Sequence, residues 1–198
     1  ITEQKLRYWA TEFHFAITGS YIVNEAGKFF NRAFFAYPDG RFEYADKRHL
    51  FSMGGEHHYF SKGNQKLLVE FSGFKIFVLV CYDIRFPVWS RNVNNEYDML
   101  IYVANFPERR ISDWDILLKA RAIENQAYVC GVNRIGIDGN GITYNGHSVM
   151  LDFKANNLLF LPENVTSIQT CEISIEKLNV YRNKFAVWKD ADKFGIKE

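Results

Sequence analysis

The sequence predicts an α/β fold in which sheet packs on sheet and helices cover the outside, rather than a simple doubly wound sheet. Three observations carry that reading. Runs such as Phe74-Lys75-Ile76-Phe77-Val78-Leu79-Val80-Cys81 and 98–104 (DMLIYVA) are almost wholly apolar, as strands buried on both faces are. Hairpin signals at Asn24-Glu25-Ala26-Gly27 and Ser72-Gly73 are mixed with later strand–helix alternation, so the strands cannot all be parallel. Segments 2–12 and 113–126 carry apolar residues at helical spacing and supply the outer cover.

Taken in order, Leu6, Trp9 and Ala10 mark the helix over 2–12. Two β-rich runs follow, 14–24 and 28–37. Tyr37-Pro38-Asp39-Gly40 is a turn by its own chemistry and leads into a short strand, 41–45. Residues 47–65 lack periodicity and read as a long loop, a feature often tied to function. Strands 66–71 and 74–81 pair next; 88–95 is a short helix after Pro87, and 98–104 a buried strand. Ser112 is placed to cap the helix over 113–126, with Trp114, Leu117, Leu118, Arg121 and Ala122 on one side. Strand 127–133, a Gly-rich turn at 136–141, strands near 146–153, 157–161 and 165–175, and a helix near 174–183 complete the chain. The polar tail carries aromatic anchors at Phe185, Trp188 and Phe194. No repeat, low-complexity tract or linker divides these elements, so 1–198 reads as a single domain.

Composition narrows the function. Of 198 residues, 47% are hydrophobic and 24% charged, and 24 basic against 23 acidic residues leave a net charge of +1. That balance favours neither nucleic acid nor an anionic membrane as partner. No apolar run is long enough to span a bilayer. The 18 Phe and 11 Tyr read as an aromatic core. Three cysteines cannot all pair within the chain, and their spacing is too wide for a metal knuckle, so a reducing cytoplasm is expected. The chain opens on Ile rather than Met, which points to a start that lies elsewhere.

Cys81 is the chemical candidate: it ends an apolar strand and is followed by Tyr82-Asp83 and Arg85. A nucleophile at a strand end is held rigidly yet opens onto a loop surface; the competing reading is a buried structural cysteine. Cys130 and Cys171 lack such a polar sequel and read as structural. A thiol needs a base and an electrostatic partner to act at neutral pH. None of the five histidines sits in a protease signature, whereas Lys47 stands where a strand enters the long loop. Alone, Lys47 would read as a solvated charge.

The segments YADKRHLF, GEHHYFSKG, LVCYDIRFPVWSRN, IYVANFP, KARAIENQAYVCGVNRIG and GHSVMLDF occur in one order. Together they resemble the nitrilase, or carbon–nitrogen hydrolase, superfamily over nearly the whole chain, and within it the omega-amidase branch. The resemblance implies a four-layer α-β-β-α sandwich, here without its first β–α segments. It implies a Glu–Lys–Cys triad with Cys81 as nucleophile, Lys47 as its cationic partner and Glu56 positioning the lysine. The backbone N–H of Tyr82 would help Lys47 stabilise the oxyanion, and Arg85 and Phe106 would contact the substrate. Arg48 or a histidine of the Glu56 loop could also meet a substrate carboxylate, and Arg85 could instead form an ion pair with Asp83 or a helix end. Glu124 and Asn125 read as structural. The family's base is a glutamate in a Pro-Glu motif before the lysine; here both Pro-Glu pairs, Pro107-Glu108 and Pro162-Glu163, follow Cys81.

The expected reaction is hydrolysis of the side-chain amide of a 2-oxo-dicarboxylate monoamide through a Cys81 thioester, with no metal or organic cofactor and, by analogy, a homodimeric enzyme. Two alternatives stand beside it: another small amide, carbamoyl or nitrile substrate, or a catalytically silent binding module on the same scaffold.

Overall fold

The computed structural model describes residues 1–196. Helix α1 (Thr2–Glu12) is followed by β1 (Ile17–Glu25), β2 (Lys28–Ala36) and β3 (Phe42–Asp46), which form one antiparallel sheet. The β1–β2 turn holds Ala26 and Gly27 at φ of 51° and 78°, the doubly left-handed geometry that matches the twist of a tight hairpin. A second sheet contains β4 (Leu67–Phe71), β5 (Phe74–Val80), β6 (Met99–Ala104) and β7 (Tyr128–Asn133). Between these run α2 (Pro87–Ser90) and α3 (Ile111–Asn125). A small hairpin of β8 (Ile135–Ile137) and β9 (Thr143–Asn145) precedes β10 (Val149–Leu151), β11 (Asn157–Phe160) and α4 (Ile175–Lys184). The second sheet has the order β11-β10-β7-β6-β5-β4, with β5, β6 and β7 parallel and the flanking strands antiparallel.

Strand alternation sorts the side chains into layers. On β2, Phe34 and Ala36 pack with Leu6 and Ala10 of α1, while Ala33 and Phe35 face the second sheet. There they meet Ile76, Val78 and Val80 of β5 and Leu67 and Val69 of β4. Phe77 and Leu79 point the other way, into a cluster with Trp114, Leu118 and Ala122 of α3. The succession α1, first sheet, second sheet, α3 is the expected α-β-β-α sandwich. Burial of residues the size of Trp114 and Leu118 stabilises it by about 1.5–3 kcal/mol each. Gly131 on β7 sets how closely α3 can approach, because a Cβ there would lie 2.5 Å from Leu118 and 2.8 Å from Trp114. Glu124 and Asn125 are structural: Glu124 accepts from Arg121 (2.8 Å), and the Asn125 side chain accepts from the Asn92 N–H (2.9 Å). No helix among the described residues is long and apolar enough to cross a membrane.

Several boundaries differ from the sequence expectation. Ser112 lies inside the first turn of α3 rather than capping it. A 3-10 turn, Glu108–Arg110, runs directly into the helix, and its Glu108 carbonyl accepts the Ile111 N–H, which leaves that donor no need of a capping side chain. The Gly-rich stretch is a turn only at its tip, with Ile135–Ile137 pairing with Thr143–Asn145. Residues 165–173 form no strand, because their β propensity finds no ladder partner among the described residues. Cys171 and Ile173 instead pack on the cluster of Tyr128, Met150, Phe153 and Leu178. Of the expected tail anchors, Phe185 and Phe194 are about half exposed and Trp188 is partly buried.

A charged clamp ties α3 to the loop between β9 and β10. Trp114 Nε1 donates to the His147 carbonyl (3.0 Å), and the His147 ring sits between Asp115 at Nδ1 (2.9 Å) and Glu163 at Nε2 (2.8 Å). A ring that donates from both nitrogens is an imidazolium. Burial opposes that charge, but the bonds to Glu163 and Asp115 outweigh it and raise the His147 pKa above the ordinary value. A raised folded-state pKa contributes stability that is full below the unfolded value of about 6.5 and fades as pH rises through the folded one. The urea midpoint is therefore expected to fall as pH rises from about 6 to 9, and to fall less in His147→Gln. Equal slopes in the two proteins would remove His147 from the account.

Candidate active site

The end of β5 delivers Cys81 to the first position of a 3-10 turn, Cys81–Arg85. Its φ is +46°, a left-handed backbone that a residue with a Cβ holds at a cost of about 1–3 kcal/mol and only when its surroundings enforce it. Asp83, 2% exposed, enforces it. One carboxylate oxygen accepts the Val80 N–H (3.1 Å); the other accepts the His49 N–H (3.0 Å) and meets His49 Nδ1 (2.8 Å). The His49 ring stacks on Phe86 at 3.7 Å. A single buried carboxylate thus fastens the Cys81 turn to the segment that carries Lys47. The Cys81 sulfur lies 3.8 Å from the Asn105 carbonyl, just past the end of β6.

Lys47 follows β3 directly. Its N–H donates to the Asn31 carbonyl (2.8 Å), and its own carbonyl accepts the Gly63 N–H (2.9 Å). A Cβ on Gly63 would stand 2.1 Å from the Asp46 carbonyl oxygen, so the long loop can close against Lys47 only through a glycine. That loop folds into two 3-10 turns, Ser52–Gly54 and Glu56–His58. The lysine side chain points inward, 4% exposed, with Nζ 2.6 Å from Glu56 Oε2. The same oxygen accepts the Phe51 N–H (2.6 Å). Lys47 is therefore not the solvated charge that a lone lysine would suggest; it is a buried cation held by a partly buried carboxylate.

Electrostatics at the sulfur follow from this packing. Burial pushes the Cys81 thiol up from its ordinary range, the Lys47 ammonium pulls it down, and the Glu56 and Asp83 charges add to the rise. The net shift is upward, which favours the protonated thiol over the thiolate.

Tyr82, Phe51, Arg85, Phe106 and Arg110 form a chain of ring and cation contacts that starts at the residue after Cys81 and reaches the turn after Asn105. The Tyr82 ring meets Phe51 (5.0 Å) and Phe86 (5.1 Å) edge-on. Arg85 lies over the Phe106 ring (5.6 Å) and forms its ion pair with Asp113 (2.6 Å) in the first turn of α3, not with Asp83. Phe106 is buried against Trp114 (5.2 Å), and its backbone is clamped by the Asn133 side chain. Asn133 accepts the Phe106 N–H (2.7 Å) and donates to the carbonyls of Phe106 (3.0 Å) and Gly146 (2.7 Å). Arg48 turns away to stack on Trp89 (4.3 Å), and His57 and His58 are exposed.

Of the residues singled out in the sequence, Lys47 and Glu56 touch directly, Arg85 and Phe106 touch each other, and Cys81 is linked to the Lys47 segment through Asp83 and His49. The sequence reading missed Asp83, His49 and Asn133 as organisers. For Asp83 a signal existed: an acid two residues past an apolar strand invites the question of what satisfies it. Asn133 at the end of β7 offers no such signal, since its partners are backbone atoms of another loop.

The carbon–nitrogen hydrolase family model matches residues 2–183. The omega-amidase YafV of Yersinia enterocolitica is 45% identical over 189 residues, which cover 96% of this chain and 73% of that protein. The 2-oxoglutaramate amidase of Bacillus subtilis is 32% identical over 180 residues, 89% of this chain and 68% of the relative. The crystal structure of XC1258 from Xanthomonas campestris, described as a CN-hydrolase superfamily protein with an arsenic adduct in the active site, superposes with a TM-score of 0.96. It is 39% identical, over 100% of this chain and 77% of that one. The chain belongs to the carbon–nitrogen hydrolase family.

Proposed function

We propose that this chain carries the active site of a cysteine-dependent amidase acting on the side-chain amide of a 2-oxo-dicarboxylate monoamide, such as 2-oxoglutaramate. The observation that carries the reading is the buried Lys47–Glu56 pair (2.6 Å), fastened through Asp83 and His49 to a strand-end cysteine with left-handed backbone. Packing alone gives no reason to bury a lysine and a carboxylate beside a thiol, because an apolar pair would cost less. The names of the YafV and B. subtilis relatives support the amide and the 2-oxo acid.

In the proposed reaction a carboxylate base takes the Cys81 proton, and Sγ adds to the amide carbon. Charge developing on the carbonyl oxygen is met by the Lys47 ammonium and the Tyr82 N–H. Collapse breaks the C–N bond, ammonia leaves with the transferred proton, and a thioester on Cys81 remains for water to hydrolyse. Glu56 serves by holding Lys47 charged and in place. In the family pattern the base belongs to a Pro-Glu motif. Glu163 of Pro162-Glu163 is engaged by His147, and Glu108 of Pro107-Glu108 is exposed in the turn before α3. The free thiols Cys81, Cys130 and Cys171 suit a reducing cytoplasm.

Ammonia release from 2-oxoglutaramate, followed alongside the intact mass of the same preparation, tests the reading. Release with a covalent adduct on Cys81 in single turnover supports it. No release, with Cys81 alkylated no faster than Cys130, would instead identify a silent binding module that keeps the fold.

A further inference from the structure

We infer that Arg110, rather than Arg85, is the anchor for the substrate's free carboxylate; this rests on the amidase reading and adds the residue that selects an anionic amide. Three cations border the Cys81 region, and two are engaged: Lys47 by Glu56 (2.6 Å) and Arg85 by Asp113 (2.6 Å). Arg110 makes no ion pair among the described residues; its guanidinium lies 5.0 Å over the Phe51 ring.

The placement of Arg110 suits the role. It ends the turn that follows Asn105-Phe106-Pro107, where the Asn105 carbonyl lies 3.8 Å from the Cys81 sulfur. The ring beneath it belongs to the residue whose N–H holds Glu56 (2.6 Å), and that ring meets Tyr82 (5.0 Å), the residue after the nucleophile. Arg110 therefore joins the two halves of the site, with its backbone in the turn after Asn105 and its side chain on the loop that carries Glu56. The guanidinium lies over the Phe51 face, a placement from which its planar fork can meet a carboxylate in bidentate geometry. Its charge is held at a disadvantage: burial first, then the neighbouring Arg109 and Arg85, disfavour it more than Cys81 and Asp113 support it, and the attraction of a bound carboxylate would offset that balance. Arg85 has no comparable need, because Asp113 already meets it.

A binding measurement tests this without relying on turnover. Alkylation of Cys81 by iodoacetamide is followed by mass spectrometry in the presence of 2-oxoglutarate, which carries the carboxylate, or butyramide, which has none. The unchanged protein is expected to be protected by both. In Arg110→Gln the 2-oxoglutarate concentration needed for half-protection rises about 10- to 100-fold, the loss expected for one charge-assisted contact, while butyramide protection changes less than about threefold. Arg110→Lys recovers part of the loss. Equal weakening for both ligands, or a charge-selective loss in Arg85→Gln and not in Arg110→Gln, would overturn the assignment while leaving the amidase reading intact. No protection of the unchanged protein by either ligand would overturn the amidase reading, and the anchor with it.

Discussion

Cys81→Ser is expected to lower ammonia release from 2-oxoglutaramate by at least about a thousandfold and to leave the fold intact. Serine keeps the shape and can adopt the same turn, so the Asp83 bonds to Val80 and His49 persist. What changes is the acidity and nucleophilicity of the attacking atom. Burial already pushes the Cys81 thiol up, and the Lys47 field offsets only part of that. An alcohol, several units less acidic, would remain protonated in the same surroundings. Single-turnover kinetics with intact mass provide the check: no acyl adduct and no ammonia, with an unchanged urea midpoint. Adduct formation at a near-normal rate would mean that the nucleophile is another group.

Lys47→Met carries the second large effect, and it separates chemistry from stability. Loss of the ammonium removes an oxyanion partner, which costs about 10²–10³ in kcat. It also strands Glu56, 13% exposed in its side chain, beside an apolar group. Breaking a buried pair from one side destabilises by about 3–5 kcal/mol. The double variant Lys47→Met with Glu56→Gln removes both charges, and most of the lost stability is expected to return while activity does not. Chemical denaturation of the three proteins, read against ammonia release, distinguishes these outcomes. If the double variant regained activity, the lysine would have only a structural role.

The sequence announced the layers because strand periodicity is a local property. The alternation in β2 and the apolar runs of β5 and β6 follow from which faces are buried, and each can be read within a few residues. The Lys47 loop and the strand end at Cys81 were legible as motifs. Their connection was not, because it runs through Asp83 and His49, which lie 34 residues apart and reveal nothing of each other in sequence. The engagement of Arg85 is a similar case. An arginine four residues past a candidate nucleophile invites a substrate, and only the packing of α3 shows that Asp113 has taken it. The failed strand at 165–173 has the complementary cause: propensity describes what a segment can do, whereas a ladder also requires an edge to join.

The left-handed backbone at Cys81 sets a limit on how stable this fold can be while it keeps a thiol, the proposed nucleophile, at this position. At most positions alanine is preferred to glycine, since glycine loses more conformational freedom on folding. At φ of +46° that ranking inverts, because only glycine adopts the conformation freely. Selection for stability alone would therefore drift toward glycine at this position and away from any reactive side chain. On the proposed mechanism, a thiol there trades thermodynamic optimum for reactivity. The turn is thus a place where a stabilising consensus substitution would erase the chemistry.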